Sequence, residues 1–132
     1  MRVARSLIDE MVAHAREDAP NECCGMVGGR DGEATTVYRA TNAEASPLRY
    51  AIDAGEQFRL MREIEEAGEE LVSIYHSHTR SAAYPSQTDV NLAGWPDAVY
   101  VVVSLEDPGD PEVKGFWIRD GEISDAELDV TG

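Results

Sequence analysis

Apolar residues recur at helical spacing in two parts of the chain and predict two long helices there. The first opens with the capping-box pattern Ser6–Asp9 and ends near Asp18, because Pro20 disfavours helical geometry at the residue before it. The second follows another capping-box pattern, Asp53–Glu56, and ends at Gly68. Its buried side is predicted to carry Phe58, Met61, Ile64 and Leu60.

The other apolar runs predict strands, over residues 22–29, 34–40, 48–52, 71–78, 98–103, 113–119 and 122–128. Asp31-Gly32 and Asp120-Gly121 are dipeptides typical of hairpin turns. The run Ala98–Val103 is apolar on both faces, which predicts a central strand. A short helix is predicted over residues 85–93. Because strands outnumber helices and the helices interrupt them, the sequence predicts an α/β or α+β fold, a mixed sheet flanked by helices.

Length and composition indicate one domain over residues 1–132, with 42% hydrophobic residues to form a core. No apolar run reaches membrane-spanning length, so no membrane association is predicted. Charges interrupt the N-terminal segment, whereas a signal peptide has an uninterrupted apolar centre. We therefore expect a cytoplasmic protein.

The charge balance is strongly acidic, with 26 Asp and Glu against 11 Lys and Arg and a net charge of −15. Such a surface repels phosphate backbones, so nucleic acid is not an expected partner. Cys23 and Cys24 are adjacent, which suits neither a disulfide nor a C-x-x-C metal pair, and we interpret them as buried strand residues. His14 lies among polar neighbours and is predicted at the surface. The sequence indicates no oligomeric state.

The segment Ser73–Val90, SIYHSHTRSAAYPSQTDV, carries the strongest chemical signal. Residues two apart on a strand face the same side, so His76 and His78 can direct both imidazoles to one point. Asp89 follows in the predicted short helix, and this three-ligand set leaves one tetrahedral zinc position for water, as in catalytic sites. Taken singly, the histidines could be buried polar residues, and Ser86-x-x-Asp89 could be a capping box.

The complete pattern, H-S-H, seven residues and S-x-x-D, resembles the JAMM (MPN-plus) metalloprotease motif at every defined position. Pro20–Gly25 and Gly29 also match the P-x-E-x-C-G-x-x-x-G pattern of bacterial JAMM proteins. The resemblance implies a curved sheet between helices, related in architecture to the cytidine deaminases. The implied site residues are His76, His78 and Asp89 as zinc ligands, Glu22 as general base and acid, and Ser86 as oxyanion donor. From the residues alone, Glu22 is one acid among many.

Within this family the sequence looks most like bacterial hydrolases of sulfur-carrier cysteine biosynthesis. The resemblance implies a partner, a ubiquitin-like sulfur-carrier protein ending in Gly-Gly, from which cysteine is released. An isopeptidase that removes ubiquitin-like modifiers from lysines is the alternative. A metal-free MPN scaffold is less favoured because every ligand is present, and a zinc deaminase is disfavoured because the chain has no C-x-x-C. We also expect the strand near the metal to offer backbone groups to the carrier tail, as an added β-strand would use them.

Overall fold

The structure, a computed structural model, describes residues 1–132. It contains three helices and eight strands. In chain order they are β1 (Arg2–Ala4), α1 (Arg5–Asp18), β2 (Cys24–Arg30), β3 (Glu33–Ala40), α2 (Ala54–Glu66), β4 (Glu70–His78), α3 (Gln87–Leu92), β5 (Val99–Ser104), β6 (Glu112–Arg119), β7 (Glu122–Ala126) and β8 (Asp129–Thr131). No helix is both long and apolar enough to span a bilayer.

All eight strands form one mixed sheet in the order β7-β6-β5-β4-β2-β3-β1-β8. β4 pairs with β5 in parallel and with β2 antiparallel, so the predicted metal-bearing strand lies in the middle of the sheet. The outermost strands, β7 and β8, are separated in the chain only by Glu127 and Leu128. A residue spans at most about 3.6 Å, so the two edges approach within about 11 Å and the sheet is strongly curled. The Met1 amino group donates to the Glu127 carbonyl at 2.7 Å and closes this gap.

Helix α1 packs against the inner face of the curled sheet. Its buried residues Ile8, Met11 and Ala15 join the main hydrophobic cluster, which also contains Tyr75 of β4 and Val101 of β5. Each fully buried side chain of this size contributes about 1.5–3 kcal/mol. Because side chains alternate along a strand, Ser73, Tyr75 and Ser77 of β4 face this core.

Helix α2 packs on the opposite face, where Leu60 and Ile64 contact Cys24, Met26 and Ala40. Ile74, His76 and His78 of β4 therefore face the side of the sheet that carries α2. Cys23 and Cys24 are free and buried, as predicted, although β2 begins only at Cys24. Their side chains lie on opposite faces of the sheet. Burial raises the pKa of both thiols to about 12.

The helix signals are only partly confirmed. Asp53 caps α2 by accepting hydrogen bonds from the amides of Gly55 and Glu56, and Gly68 follows the helix at a φ of +71°. The capping box predicted at Ser6 is wrong: α1 begins at Arg5 and its N-cap, Ala4, is the last residue of β1. Phe58 is 67% exposed rather than buried against the sheet.

Two further predictions fail and two strands were not predicted, because these features depend on distant parts of the chain. Residues 48–52 form no strand and contribute only one bridge, between Asn42 and Ile52. His14 is buried, not at the surface, and hydrogen-bonds to the Tyr75 hydroxyl at 2.7 Å. The short strands β1 and β8 were not predicted, because each has three residues and forms only where the sheet curls back on itself.

Candidate active site

The sheet aligns the candidate residues in rows across neighbouring strands. His76 pairs with Cys24 of β2 and Val102 of β5, and His78 pairs with Ser104. Both imidazoles face the side of α2, while the Ser77 hydroxyl points to the other face and accepts a hydrogen bond from the Cys23 amide at 2.8 Å. The same-face placement of the two histidines follows from strand alternation, as predicted.

The nitrogen and oxygen atoms of three side chains converge on one point. His76 Nε2 and His78 Nε2 are 3.2 Å apart, and each lies 3.0 Å from Asp89 Oδ2. Tetrahedral zinc with bonds of about 2.0–2.1 Å holds its ligands about 3.3–3.4 Å apart. The three atoms therefore already have nearly the spacing that a metal ion requires, and the donor set of two imidazoles and one carboxylate fits zinc.

The surroundings orient both rings with Nε2 toward that point. His78 Nδ1 lies 3.0 Å from the Ala82 carbonyl, a contact that places the proton on Nδ1 and leaves the lone pair on Nε2. The Tyr50 ring stacks on the His76 ring, with centroids 4.4 Å apart and an interplanar angle of 20°. Two buried histidines this close together would repel each other if both were protonated, so the arrangement favours binding a cation.

Asp89 and Ser86 are fixed by the N-terminus of α3. The Ser86 hydroxyl accepts from the Asp89 amide at 3.1 Å, and Asp89 Oδ2 accepts from the Ser86 amide at 2.8 Å. This reciprocal pair is a capping box, and it holds the carboxylate toward the two histidines. Burial opposes ionisation of Asp89, but hydrogen bonds from His76 and His78 lower its pKa well below the ordinary value.

Glu22 lies beside the three converging groups and is only 3% exposed. The β2–β4 ladder continues with the bond from the Ser77 amide to the Cys23 carbonyl, so extending the register places Glu22 next to His78. One carboxylate oxygen, Oε1, is buried without a hydrogen-bond partner. Burial raises the pKa of Glu22 to about 7, His78 opposes this shift, and Asp89 adds to it. A carboxyl with such a pKa can both accept and donate a proton near neutral pH.

The loop of residues 41–53 holds Glu22 in place through Asn42, which sequence reasoning missed. Asn42 Nδ2 donates to the carbonyls of Glu22 and Arg49, both at 3.0 Å. Its Oδ1 accepts from the amides of Glu44 and Ala51 at 3.0 and 3.1 Å. An asparagine in a polar loop gives no local signal of this role, because its partners are brought together only by the fold.

We expect Asn42→Ala to lower both kcat and stability. A buried polar group left without a partner costs about 1–3 kcal/mol, and the buried Glu22 carbonyl and three partly buried backbone groups lose their partner here. The expected result is a melting temperature lower by several degrees and a kcat reduced at least tenfold with the metal still bound. Asn91→Ala is the matched control, because Asn91 is exposed and bonds only to Gln87. Equal effects of the two substitutions would show that Asn42 has no special role in holding Glu22.

Strand addition by the carrier tail cannot take place at β4 itself. Both edges of β4 are already hydrogen-bonded, to β2 and to β5. The strand therefore has no free row of backbone groups, and a ligand reaching the site must cross the side chains on its outer face.

A curled mixed sheet that carries H-x-H on a central strand and S-x-x-D at the start of the following helix defines the JAMM (JAB/MPN) class of hydrolases. The chain belongs to the prokaryotic homologs of the JAB domain, and this family matches residues 4–119. The predicted α/β fold with a mixed sheet and flanking helices is confirmed. A solved JAB1/MPN domain protein from Archaeoglobus fulgidus has the same fold, with a TM-score of 0.65, 18% identity and complete coverage of both chains.

Two relatives are similar to this chain over most of its length. The CysO-cysteine peptidase of Mycobacterium tuberculosis is 45% identical over 130 residues, which cover 97% of this chain and 89% of that protein. The desampylase of Haloferax volcanii is 38% identical over 112 residues, which cover 79% of this chain and 80% of that protein. Both names describe hydrolytic enzymes.

Proposed function

We propose that this chain is a zinc-dependent hydrolase that cleaves the amide after the C-terminal Gly-Gly of a ubiquitin-like sulfur-carrier protein and releases cysteine. The observation that carries the proposal is the buried Glu22, with a pKa of about 7, next to three ligand atoms spaced for one metal ion. The similarity to a CysO-cysteine peptidase over 97% of the chain supports the choice of carrier and product.

In this proposal His76, His78 and Asp89 hold one zinc ion per chain. Three protein ligands are typical of catalytic zinc, whereas structural sites fill all four positions. Zinc bound there supplies Lewis-acid polarisation of a carbonyl and lowers the pKa of water. The capping box of α3 and the Ala82 contact of His78 keep the ligands in place when the substrate binds.

Glu22 transfers the proton. Its carboxylate accepts a proton from the attacking water, and the resulting carboxylic acid donates that proton to the nitrogen of the leaving cysteine. The pKa raised by burial suits both halves of this transfer, because a buried carboxylate is a stronger base than an exposed one. The buried position keeps bulk water from competing for the proton.

Ser86 stabilises the oxyanion. Its Oγ lone pair is used by the Asp89 amide, which leaves the hydroxyl hydrogen free to donate to a developing negative charge. We expect Ser86→Ala to lower kcat by about 10²–10³-fold with little change in KM, because the donor acts on charge present only in the transition state. Loss of the cap should also lower stability by about 1 kcal/mol.

Ser86→Thr is the matched control, because threonine keeps the hydroxyl and is also a good cap. We expect its kcat to stay within about tenfold of wild type. Thermal melts and steady-state kinetics on both variants separate the two roles. A lower melting temperature with an unchanged kcat in Ser86→Ala would leave Ser86 as a helix cap only.

An isopeptidase that removes ubiquitin-like modifiers from lysines is the second candidate, favoured by the similarity to a desampylase. It would use the same ligands and the same proton transfer, with a lysine Nζ as leaving group. The chain has only seven residues between His78 and Ser86, which leaves little room for an insertion that grips a protein on the leaving side. This favours the small leaving group, cysteine.

Carrier dependence tests the proposal. With zinc-loaded protein we expect rapid cleavage of cysteine from the carrier and very slow cleavage of the dipeptide Gly-Cys, because the dipeptide lacks the remote contacts that position the bond. Replacing the last Gly of the carrier by Val should slow cleavage sharply while binding of the folded carrier persists. Rapid hydrolysis of short unrelated peptides would instead indicate a general peptidase.

A further inference from the structure

An apolar pocket lies beside the His76 ring. It is on the face of the sheet that carries the metal-ligand triad, which consists of His76, His78 and Asp89. It has a volume of about 210 Å³, and eight of its nine lining residues are hydrophobic. Its lining includes Met26, Tyr50, Ile74, Leu92, Trp95 and Tyr100. Apart from the Tyr50 ring, which stacks on His76, these side chains have no part in the proton transfer or metal binding described above.

The walls of the pocket are held in place without a ligand. The Tyr50 ring forms the wall next to the metal site and rests on His76. On the far side, the Tyr100 hydroxyl accepts hydrogen bonds from the amides of Gly94 and Trp95, both at 3.1 Å, and these fix the segment that follows α3. A cavity with fixed walls and an apolar lining is typical of a binding site that is formed in advance.

Strand register gives the position of the pocket relative to the metal. Met26, Ile74 and Tyr100 form one row across β2, β4 and β5. The next row on the same face, two residues along β4, contains His76. Two residues of strand span about 6.6–6.8 Å, so the pocket floor lies one such step from the metal ligands.

The position of Glu22 gives the direction in which a substrate crosses the site. Glu22 lies at the His78 end of the triad, and the pocket lies at the opposite, Ile74 end. Because Glu22 protonates the leaving nitrogen, that nitrogen points toward the His78 end. The acyl part of the substrate, which is the carrier tail, therefore runs toward the pocket.

We infer that this pocket binds an apolar side chain of the carrier, at the third residue from its C-terminus, immediately before Gly-Gly. The inference rests on the proposed function, because it takes the last Gly as the residue whose carbonyl is attacked. In an extended tail the third residue lies about 6.6–6.8 Å from the last and faces the same side, which matches the spacing of the two rows. The intervening Gly faces away from the sheet.

The volume of the pocket limits the size of the carrier side chain that it can bind. An apolar cavity of about 150 Å³ accommodates benzene, so about 210 Å³ accommodates one leucine or phenylalanine side chain. An aspartate there would lose hydration without gaining an opposite charge, because Gln57 is the one polar lining residue and the lining offers no cation. The pocket therefore selects the carrier by its tail, independently of what the tail carries.

Three cysteinylated carriers, ending in Leu-Gly-Gly, Ala-Gly-Gly and Asp-Gly-Gly before the cysteine, test this with the zinc-loaded protein. We expect kcat/KM for the Leu carrier to exceed that for the Asp carrier by about 10–200-fold. Ala51→Leu fills the pocket from its rim and should reduce this preference to about threefold or less, with the Ala carrier still cleaved. Ala13→Leu, at an exposed position of α1, should retain the full preference.

A binding measurement separates this inference from the proposed function. Free carriers ending in the same three tails, without cysteine, are titrated into the Trp117→Phe variant, whose only remaining indole is the pocket residue Trp95. We expect affinities in the order Leu, Ala, Asp. If the affinities follow that order but no cysteinyl carrier is cleaved, the inferred role of the pocket in binding the tail is supported and the proposed function is contradicted. Cleavage of all three carriers at similar rates by wild-type protein would contradict the inferred binding of a side chain in the pocket. This test uses only the wild type, so it holds even if Ala51→Leu does not fold.

Discussion

Glu22→Gln is expected to lose about 10²–10⁴-fold in kcat while it still binds one metal ion per chain. The amide cannot accept a proton from water or deliver one to the leaving nitrogen, and it is not one of the three converging ligand groups. Glu44→Gln is the matched control, because Glu44 is an exposed acid in the loop that holds Glu22. Kinetics together with metal analysis of both variants test this expectation.

The same substitution is expected to stabilise the metal-free protein above pH 7. The pKa of Glu22 is raised in the fold from its ordinary value of 4.5 to about 7, so the native state binds more protons than the unfolded chain between those values. Stability therefore falls as the pH rises through that window, because an ionised carboxylate must stay buried. Gln carries no charge, so the variant should lack this decline.

Melting temperatures of the metal-free wild type and Glu22→Gln, measured from pH 5 to pH 8, should converge at the acid end and separate at the basic end. In the kinetic experiment, a near wild-type kcat of Glu22→Gln at full metal content would show that another residue is the general base. Parallel melting curves at every pH would show that Glu22 is not held in an unfavourable buried site.

His78→Ala is expected to abolish both metal binding and activity. It removes one of the three proposed ligands, and the two that remain are fewer than the three protein ligands of catalytic zinc sites. Metal that binds only the folded protein stabilises it by about 2.7 kcal/mol at a concentration of 100 times Kd. Zinc should therefore raise the melting temperature of the wild type after chelation and leave that of His78→Ala unchanged.

The third histidine of the chain, His14, provides the matched control. It is buried and hydrogen-bonded to Tyr75, but it lies on the inner face of the sheet, away from the metal ligands. His14→Ala should lose stability by about 1–3 kcal/mol and still bind one metal ion with measurable activity. Equal metal loss in both variants would indicate general unfolding rather than removal of a ligand.

The parts of the site that the sequence predicts are those set by short-range geometry. His76 and His78 share a face because strand side chains alternate, whatever the neighbouring strands are. The S-x-x-D pattern places Ser86 and Asp89 in a reciprocal cap, which positions the carboxylate as well as starting the helix. Motifs of this kind need only a few residues of regular backbone, so they can be read from the chain.

The parts that the sequence did not predict depend on contacts between distant segments. Asn42 and Tyr50 belong to a loop with no regular pattern, and they gain their roles only because the fold brings that loop against Glu22 and His76. His14 is buried because the sheet curls around α1, a closure that depends on three-residue strands at both ends of the chain. The periodicity of apolar residues along the chain does not predict these contacts.

Mass spectrometry of a competition reaction tests the proposed activity most directly. Zinc-loaded protein is mixed with equal amounts of two carriers, one ending in Gly-Gly-cysteine and one joined through Gly-Gly to a lysine Nζ, with Glu22→Gln and chelator-treated protein as controls. The proposed function predicts that free cysteine and carrier with an intact Gly-Gly end appear first, well before the isopeptide is cut, and that neither control reacts. Cleavage of the isopeptide with the cysteine adduct left intact, or cleavage within the carrier, would contradict it.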